Sequence, residues 1–344
     1  MRIALDAMGG DHAPFSTVNG ALEFIRECGN TPPFIDLYGP KNELQKIIDS
    51  SDIKTNFISI INCDEVIHPN EKSVRAFKEK PNSSLVKSVT AVKNADADAI
   101  VSAGNTGALL TSSLFILGKI EGINRPALAP CIPTQKGGFI LCDAGANADV
   151  KPKHLVHFGI MASAYMEFLV DIKNPRVALL NIGIESSKGN ELSRQAYPLM
   201  EEHISNFIGN IESRYIMEDK ADIIVCDGFV GNTVLKLIEG LIKHLFSWIG
   251  DSMESNSTTN SKTSLLKPAF NDIKNVLDYE QHGSTPFLGV NGIVMKCHGN
   301  SSVKSIKSAL KSAQIAYNEN LIDNIANRIS KHLINNDSKT VNEK

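Results

Sequence analysis

Ala99-Ile100-Val101-Ser102-Ala103-Gly104-Asn105-Thr106-Gly107-Ala108-Leu109-Leu110 is the stretch whose reading decides the fold. An apolar run breaks into small polar residues and glycine, then resumes at helical spacing. That pattern predicts a buried strand, a tight turn and the first turn of a helix. Such a turn sets backbone N–H groups beside the positive end of a helix dipole, which suits a small anion. A plain capping turn uses the same Gly, Asn and Thr, so the anion reading needs support from elsewhere in the chain. A weaker echo runs from Ile223 to Val234, and both copies carry Gly-Asn-Thr at the corner.

The chain has 344 residues, 42% of them hydrophobic and 21% charged, ordinary values for a globular protein with a large core. A net charge of −3 gives no reason to expect a nucleic-acid partner. The cysteines (28, 63, 131, 142, 226 and 297) are scattered without a C-x-x-C pair, as in a reduced cytosolic protein. Met1–Asp6 runs straight into an apolar strand with no secretory pattern, and no apolar run has the length of a membrane span. A cytoplasmic location is expected.

Outward from the opening stretch, short apolar runs alternate with helical patterns. Ile3–Asp6, Phe34–Tyr38, Phe57–Ile61, Ala127–Pro133, Gly138–Cys142, Val177–Asn181 and Gly292–Cys297 are strand candidates. Pro14–Cys28, Pro152–Val170 and Val234–Ile249 are helix candidates, the last strongly amphipathic. Between Asn70 and Asn94 a lysine-studded polar segment reads as a loop followed by a helix. The alternation implies an α/β fold, a mostly parallel sheet with helices on both faces. The expected organisation is one large α/β catalytic domain over 1–334, with a helical projection and loop at about 234–280 and a polar tail over 335–344.

In such sheets the ligand binds beyond the carboxyl ends of the strands. Those ends carry Asp6, Ser102, Asp143, Asn181, Asp227 and His298, most of them followed by glycine. The P-loop, the dinucleotide G-x-G-x-x-G and the G-x-S-x-G elbow are all missing, so no nucleotide, no cofactor and no serine nucleophile is expected. His154 and His157 stand three apart on a helix, a spacing more often packed than metal-ligating, and no metal is expected. Leu265, Leu266 and Phe270 follow a Ser/Thr/Asn-rich stretch and are candidates for membrane contact.

The corners together resemble one family. Asp6-Ala7-Met8-Gly9-Gly10-Asp11, Ser102–Ala108, Asp143-Ala144-Gly145-Ala146-Asn147 and Asn181-Ile182-Gly183 come first. Asp227–Asn232, Leu288–Gly292 and His298-Gly299 follow in the same order as in the PlsX-type phosphate acyltransferases, over Met1 to about Ala316. Two departures stand out: Gly283-Ser284-Thr285-Pro286 in place of Gly-Gly-Ala-Pro, and a basic segment interrupted by Glu79 and Pro81. The resemblance implies a fold similar to phosphotransacetylases and isocitrate/isopropylmalate dehydrogenases. It implies transfer of a fatty acyl group from acyl carrier protein to inorganic phosphate, in a homodimer at the inner face of the cell membrane. The product would pass to a membrane-embedded glycerol-3-phosphate acyltransferase.

Ionised phosphate attacks a thioester directly, so the site must position an anion and stabilise an oxyanion. Backbone N–H groups and side chains at Ser102, Gly104, Asn105, Thr106 and Gly107, with Gly228, Gly231, Asn232 and Thr233, are the expected phosphate and thioester binders. Asp143, Asn147 and Asp227 complete that set. Asn147 and Asn181 can orient the phosphate or meet the carbonyl, Lys188 can offset charge, and His298 can protonate the leaving thiolate. Asp6, Asp143 and Asp227 cannot all face a phosphate, so some must bond backbone N–H groups and shape the corners. Two rivals are a phosphotransacetylase that uses acyl-coenzyme A and a non-catalytic anion-binding scaffold.

Overall fold

The computed structural model describes residues 1–342 apart from 30, 54, 55, 171, 256–267, 269, 274, 275 and 278–282. The strands fall in two sheets. The first contains β1 (Arg2–Asp6), β2 (Phe34–Gly39), β3 (Ile58–Asn62), β4 (Ala99–Ser102) and β5 (Ala127–Leu128). The second is built from β6 (Cys131–Ile132), β7 (Phe139–Cys142), β8 (Val177–Asn181), β9 (Phe207–Glu212) and β10 (Ile223–Val225). The chain then returns to the first sheet with β11 (Thr285–Leu288) and β12 (Ile293–Lys296).

The first sheet runs β3-β2-β1-β4-β12-β11-β5 and the second β6-β7-β10-β8-β9. Pairing is parallel except around β11 and between β6 and β7. The mostly parallel α/β class therefore holds, with the strands shared between two sheets. The expected Ala127–Pro133 strand is the crossing point: its first half pairs with β11, its second with β7. The parallel strands carry near-continuous apolar runs because helices bury both faces. Phe15–Cys28 and Val303–Asn318 pack together on one face of the first sheet, and Ser84–Lys93 on the other. Pro152–Val170 and Gly228–Ser255 pack against the second. One apolar core runs through β1, β4, β7, β8, β10 and the helices between them.

Local differences have plain causes. The lysine-rich segment forms two helices, Ser73–Glu79 and Ser84–Lys93. Ser83 caps the second by accepting the Val86 N–H. The C-terminal helix Leu321–Asn342 continues through the polar tail. Val234–Ile249 lies inside a longer helix, Gly228–Ser255. Its Leu235 and Ile238 pack on the second sheet, whereas Leu237, Leu241, Leu245 and Trp248 are exposed. Among the described residues no helix is long and apolar enough to cross a membrane.

Three helices bring His157, His203 and His332 together, with ring centroids 5.7 Å apart for His157–His332 and 4.8 Å for His203–His332. His157 is buried, and among the described residues its Nδ1 has no hydrogen-bond partner. Burial holds its pKa down to about 4, with the charges of His332, His154 and Lys153 acting the same way. The folded pKa is thus below the unfolded value of about 6.5. Stability is full above pH ~6.5 and is lost as pH falls from there to about 4, by about 3 kcal/mol. Urea unfolding followed across this window should show the loss, and His157→Gln should flatten it. Parallel pH slopes for the two proteins would contradict the assignment.

Candidate active site

The carboxyl ends of β4, β7 and β12 and the start of the Gly228–Ser255 helix meet around a cavity of about 440 Å³. Thr106 and Gly107 line it from the first sheet's corner, Gly145 and Asn232 from the second, and Lys296 and His298 from the end of β12. Apolar side chains close the remainder, among them Leu110, Leu128, Ile132, Leu235, Ile238 and Phe287. The volume and mixed lining are those of a small-molecule site.

Two buried carboxylates shape the corners. Asp6 is 1% exposed and accepts from Ser84 Oγ at 2.6 Å and Ser102 Oγ at 2.7 Å. The Ser102 hydroxyl in turn accepts the Gly104 N–H at 3.1 Å. Asp143 is fully buried and accepts the N–H groups of Leu128 (2.9 Å), Gly145 (3.2 Å), Ala146 (3.0 Å) and Asn147 (2.7 Å). The Asn147 amide adds a further donor at 2.9 Å and gives its other hydrogen to Pro126 O at 2.7 Å. Burial raises both carboxyl pKa values, while the donors pull them back down. Asp227 Oδ1 accepts the Val230 N–H at 2.9 Å and caps the long helix. All three aspartates thus bond neighbouring N–H or O–H groups.

Backbones approach closely at these corners. A Cβ on Gly104 would lie 3.0 Å from Asp6 Oδ2, and one on Gly228 would lie 2.7 Å from Asp143 Oδ2. A side chain there would push into the carboxylates. Asn105 Oδ1 accepts the Ala108 N–H at 3.0 Å, while its amide donates to Pro69 O (2.9 Å) and Glu71 O (3.0 Å). Its side chain thus caps a helix and pins the 68–73 loop. Thr233 Oγ donates back to Phe229 O at 2.8 Å within its own helix. The Gly231 N–H closes the first turn of that helix onto Asp227 O at 2.9 Å.

The end of β12 carries the site's distinctive electrostatics. Lys296 is 8% exposed, and burial holds its pKa down to about 8 against the opposing pull of Cys297, Asp6 and Asp11. Its ammonium donates to Cys297 O. Cys131 and Cys297 also line the cavity, and burial pushes both thiols up to about 12. Near neutral pH they are thiols, not nucleophilic thiolates. His298 is exposed, with Nδ1 2.8 Å from Asn300 Oδ1.

A family described as "Fatty acid synthesis protein" matches residues 1–324. The phosphate acyltransferase of Clostridium botulinum (strain Loch Maree / Type A3) is 44% identical over 336 residues, 98% of this chain and all of that one. That of Alkaliphilus oremlandii is 46% identical over 330 residues, 96% of this chain and 98% of its own. The chain belongs to this phosphate acyltransferase family. A phosphotransacetylase from Streptococcus pyogenes shares the fold, with a TM-score of 0.63 and 17% identity over 92% of this chain and 94% of that one.

Within this family member, the sequence-derived candidates fall into three places. Thr106, Gly107, Asn232 and His298 line the cavity. Ser102, Gly104, Asn105, Asp143, Asn147, Asp227, Gly228, Gly231 and Thr233 build the corners behind or beside it. Asn181 and Lys188 sit together at the end of β8, joined by an Asn181 Nδ2 to Lys188 O bond of 3.1 Å, and do not line it. Sequence reasoning passed over Lys296, whose burial follows from strand pairing alone. Asp143→Asn replaces an acceptor of five N–H hydrogens with a group that has only one acceptor oxygen. It should destabilise the fold by about 3 kcal/mol, measured by thermal and urea unfolding; an unchanged midpoint would contradict this account of the corner.

Proposed function

We propose that this protein transfers a fatty acyl group from acyl carrier protein to inorganic phosphate, releasing acyl phosphate and the free carrier for phospholipid synthesis. The observation that carries the reading is a single cavity that combines an apolar lining with a buried cation and a histidine, while its thiols are held protonated. The close similarity to proteins named phosphate acyltransferase supports the same chemistry.

A phosphate oxygen attacks the thioester carbonyl carbon directly. The C–O bond forms, the C–S bond breaks, and the electron pair leaves on sulfur. The proton carried by hydrogen phosphate balances the one gained by the thiol. His298 lines the cavity and is the proposed donor to that sulfur, while Thr106, Gly107 and Asn232 offer donors to the anion. Asn181 and Lys188, on their outward corner, are proposed to meet the incoming donor or phosphate from the loop side.

The exposed stripe of Leu237, Leu241, Leu245 and Trp248, at helical spacing on one long helix, supports a homodimer formed through it. Membrane contact is proposed for Leu265, Leu266 and Phe270, which follow that helix in the chain. Leu265 and Leu266 lie outside the described residues, and the Phe270 ring packs on Phe246 with centroids 5.3 Å apart. With the protein held at the membrane by these residues, the acyl phosphate would pass directly to a membrane-embedded glycerol-3-phosphate acyltransferase.

Phosphorus NMR of the purified protein with acyl carrier protein thioester and phosphate should show an acyl phosphate resonance. Turnover only with acyl-coenzyme A would favour a phosphotransacetylase, and no turnover with either thioester would leave a binding scaffold. Replacing Leu265, Leu266 and Phe270 together by Ser should reduce flotation with anionic liposomes while soluble turnover persists. Undiminished flotation would remove these three residues from the membrane contact.

A further inference from the structure

Asp6, Ser102 and Lys296 are in register across three adjacent parallel strands, β1, β4 and β12, and Thr285 on β11 pairs with Lys296 from the other side. Residues in register on neighbouring strands point to the same face. The first sheet therefore ends in one polar row: carboxylate, hydroxyl, ammonium, hydroxyl. Its Lys296 and Thr285 members form part of the cavity wall.

The row leaves the ammonium short of partners. Asp6 lies two strands away from Lys296, roughly 10 Å between backbones, and its oxygens already accept from Ser84 and Ser102. An ammonium has three donors. Among the described residues, Lys296 makes no ion pair within 4.0 Å and has one hydrogen-bond acceptor, the Cys297 carbonyl. A buried cation without a close counter-charge is costly to fold around. Such an arrangement persists where a ligand supplies the missing charge. Lys188, the cation singled out from the sequence, does not line the cavity.

We propose that Lys296 is the cation that holds the attacking phosphate, with the Thr285 hydroxyl beside it. This rests on the acyl-to-phosphate reading given above. The Asp6 and Asp11 carboxylates help keep the lysine charged without an ion pair to either, and Ser102 stands between Asp6 and Lys296 along the row. Lys296 touches substrate and takes part in no covalent step. Because its pKa is held near 8, phosphate affinity should fall as pH rises through that value.

Isothermal titration with inorganic phosphate alone, without any acyl donor, tests the site directly. Lys296→Met should weaken phosphate binding about ten- to hundred-fold, the effect of losing a charge-assisted contact. In turnover, the phosphate KM should rise by a similar factor while the KM for the acyl carrier protein thioester stays within about twofold. The unfolding midpoint should hold or rise, since an unpaired buried charge has been removed. Lys296→Arg keeps a charge that does not titrate, so it should move the alkaline loss of phosphate binding well above pH 8. Phosphate binding by Lys296→Met equal to that of the parent protein would overturn the proposal. So would a lowered midpoint together with an equal rise in both KM values, the mark of a structural lysine. Failure of the parent protein to form acyl phosphate would instead refute the function, whatever the titration shows.

Discussion

Everything at the functional edge depends on how buried carboxylates are satisfied where the strands end. Asp6 and Asp143 sit inside the protein, where an ionised oxygen without donors is untenable. Each is therefore wrapped: Asp6 by the hydroxyls of Ser84 and Ser102, Asp143 by a run of backbone N–H groups and the Asn147 amide. The wrapping fixes the paths of the chain segments that follow the strands. Glycines at 104 and 228 are required because the backbone passes so close to the carboxylates. It also turns these two negative charges away from the cavity, so the wall carries hydroxyl, amide, ammonium and imidazole groups, with Glu239 its one carboxylate among the described residues. An anion site can stand beside two aspartates only because they are already engaged.

The two sheets repeat this device, and the Gly-Asn-Thr echo falls at a different point of each copy. At the first copy Asn105 caps one helix and ties down the 68–73 loop. At the second, Asp227 caps the long helix while Asn232 faces the cavity. Asn105 is itself a cap, whereas Asn232 stands five residues beyond the cap Asp227, so the same tripeptide offers a different residue to the cavity. The chain passes between the sheets at residues 129–130 and returns with β11, so the cavity is walled from both sheets.

Much of this was legible in the sequence, because an apolar strand followed by small polar residues and a helix is a local pattern. The corners at Asp6, Ser102, Asp143, Asn181, Asp227 and His298 all stand at strand ends. Strand order is not local. Asn181 gives the same corner signal as Asp143, yet β8 lies on the far side of β10 from β7, and its corner misses the cavity. The two-residue strands β5 and β6 are too short to show alternation, so the crossing between sheets left no trace in the pattern. Asn105 illustrates a different limit: a cap and an anion ligand call for the same side chain, and only its partners tell them apart.

Lys296 shows the same limit more sharply. In Ile293-Val294-Met295-Lys296-Cys297-His298 it is the one charged residue closing an apolar strand, and such lysines ordinarily point to water. Its burial is decided by Ser102 and Thr285, 194 and 11 positions away in the chain, which pair on either side of it. The low-polarity surroundings that lower its pKa are the same ones that keep Cys131 and Cys297 protonated. A single environment thus keeps both cavity thiols protonated while leaving a buried lysine in the wall. Such surroundings match the proposed reaction, in which the protein supplies position and charge and the ionised phosphate is itself the nucleophile.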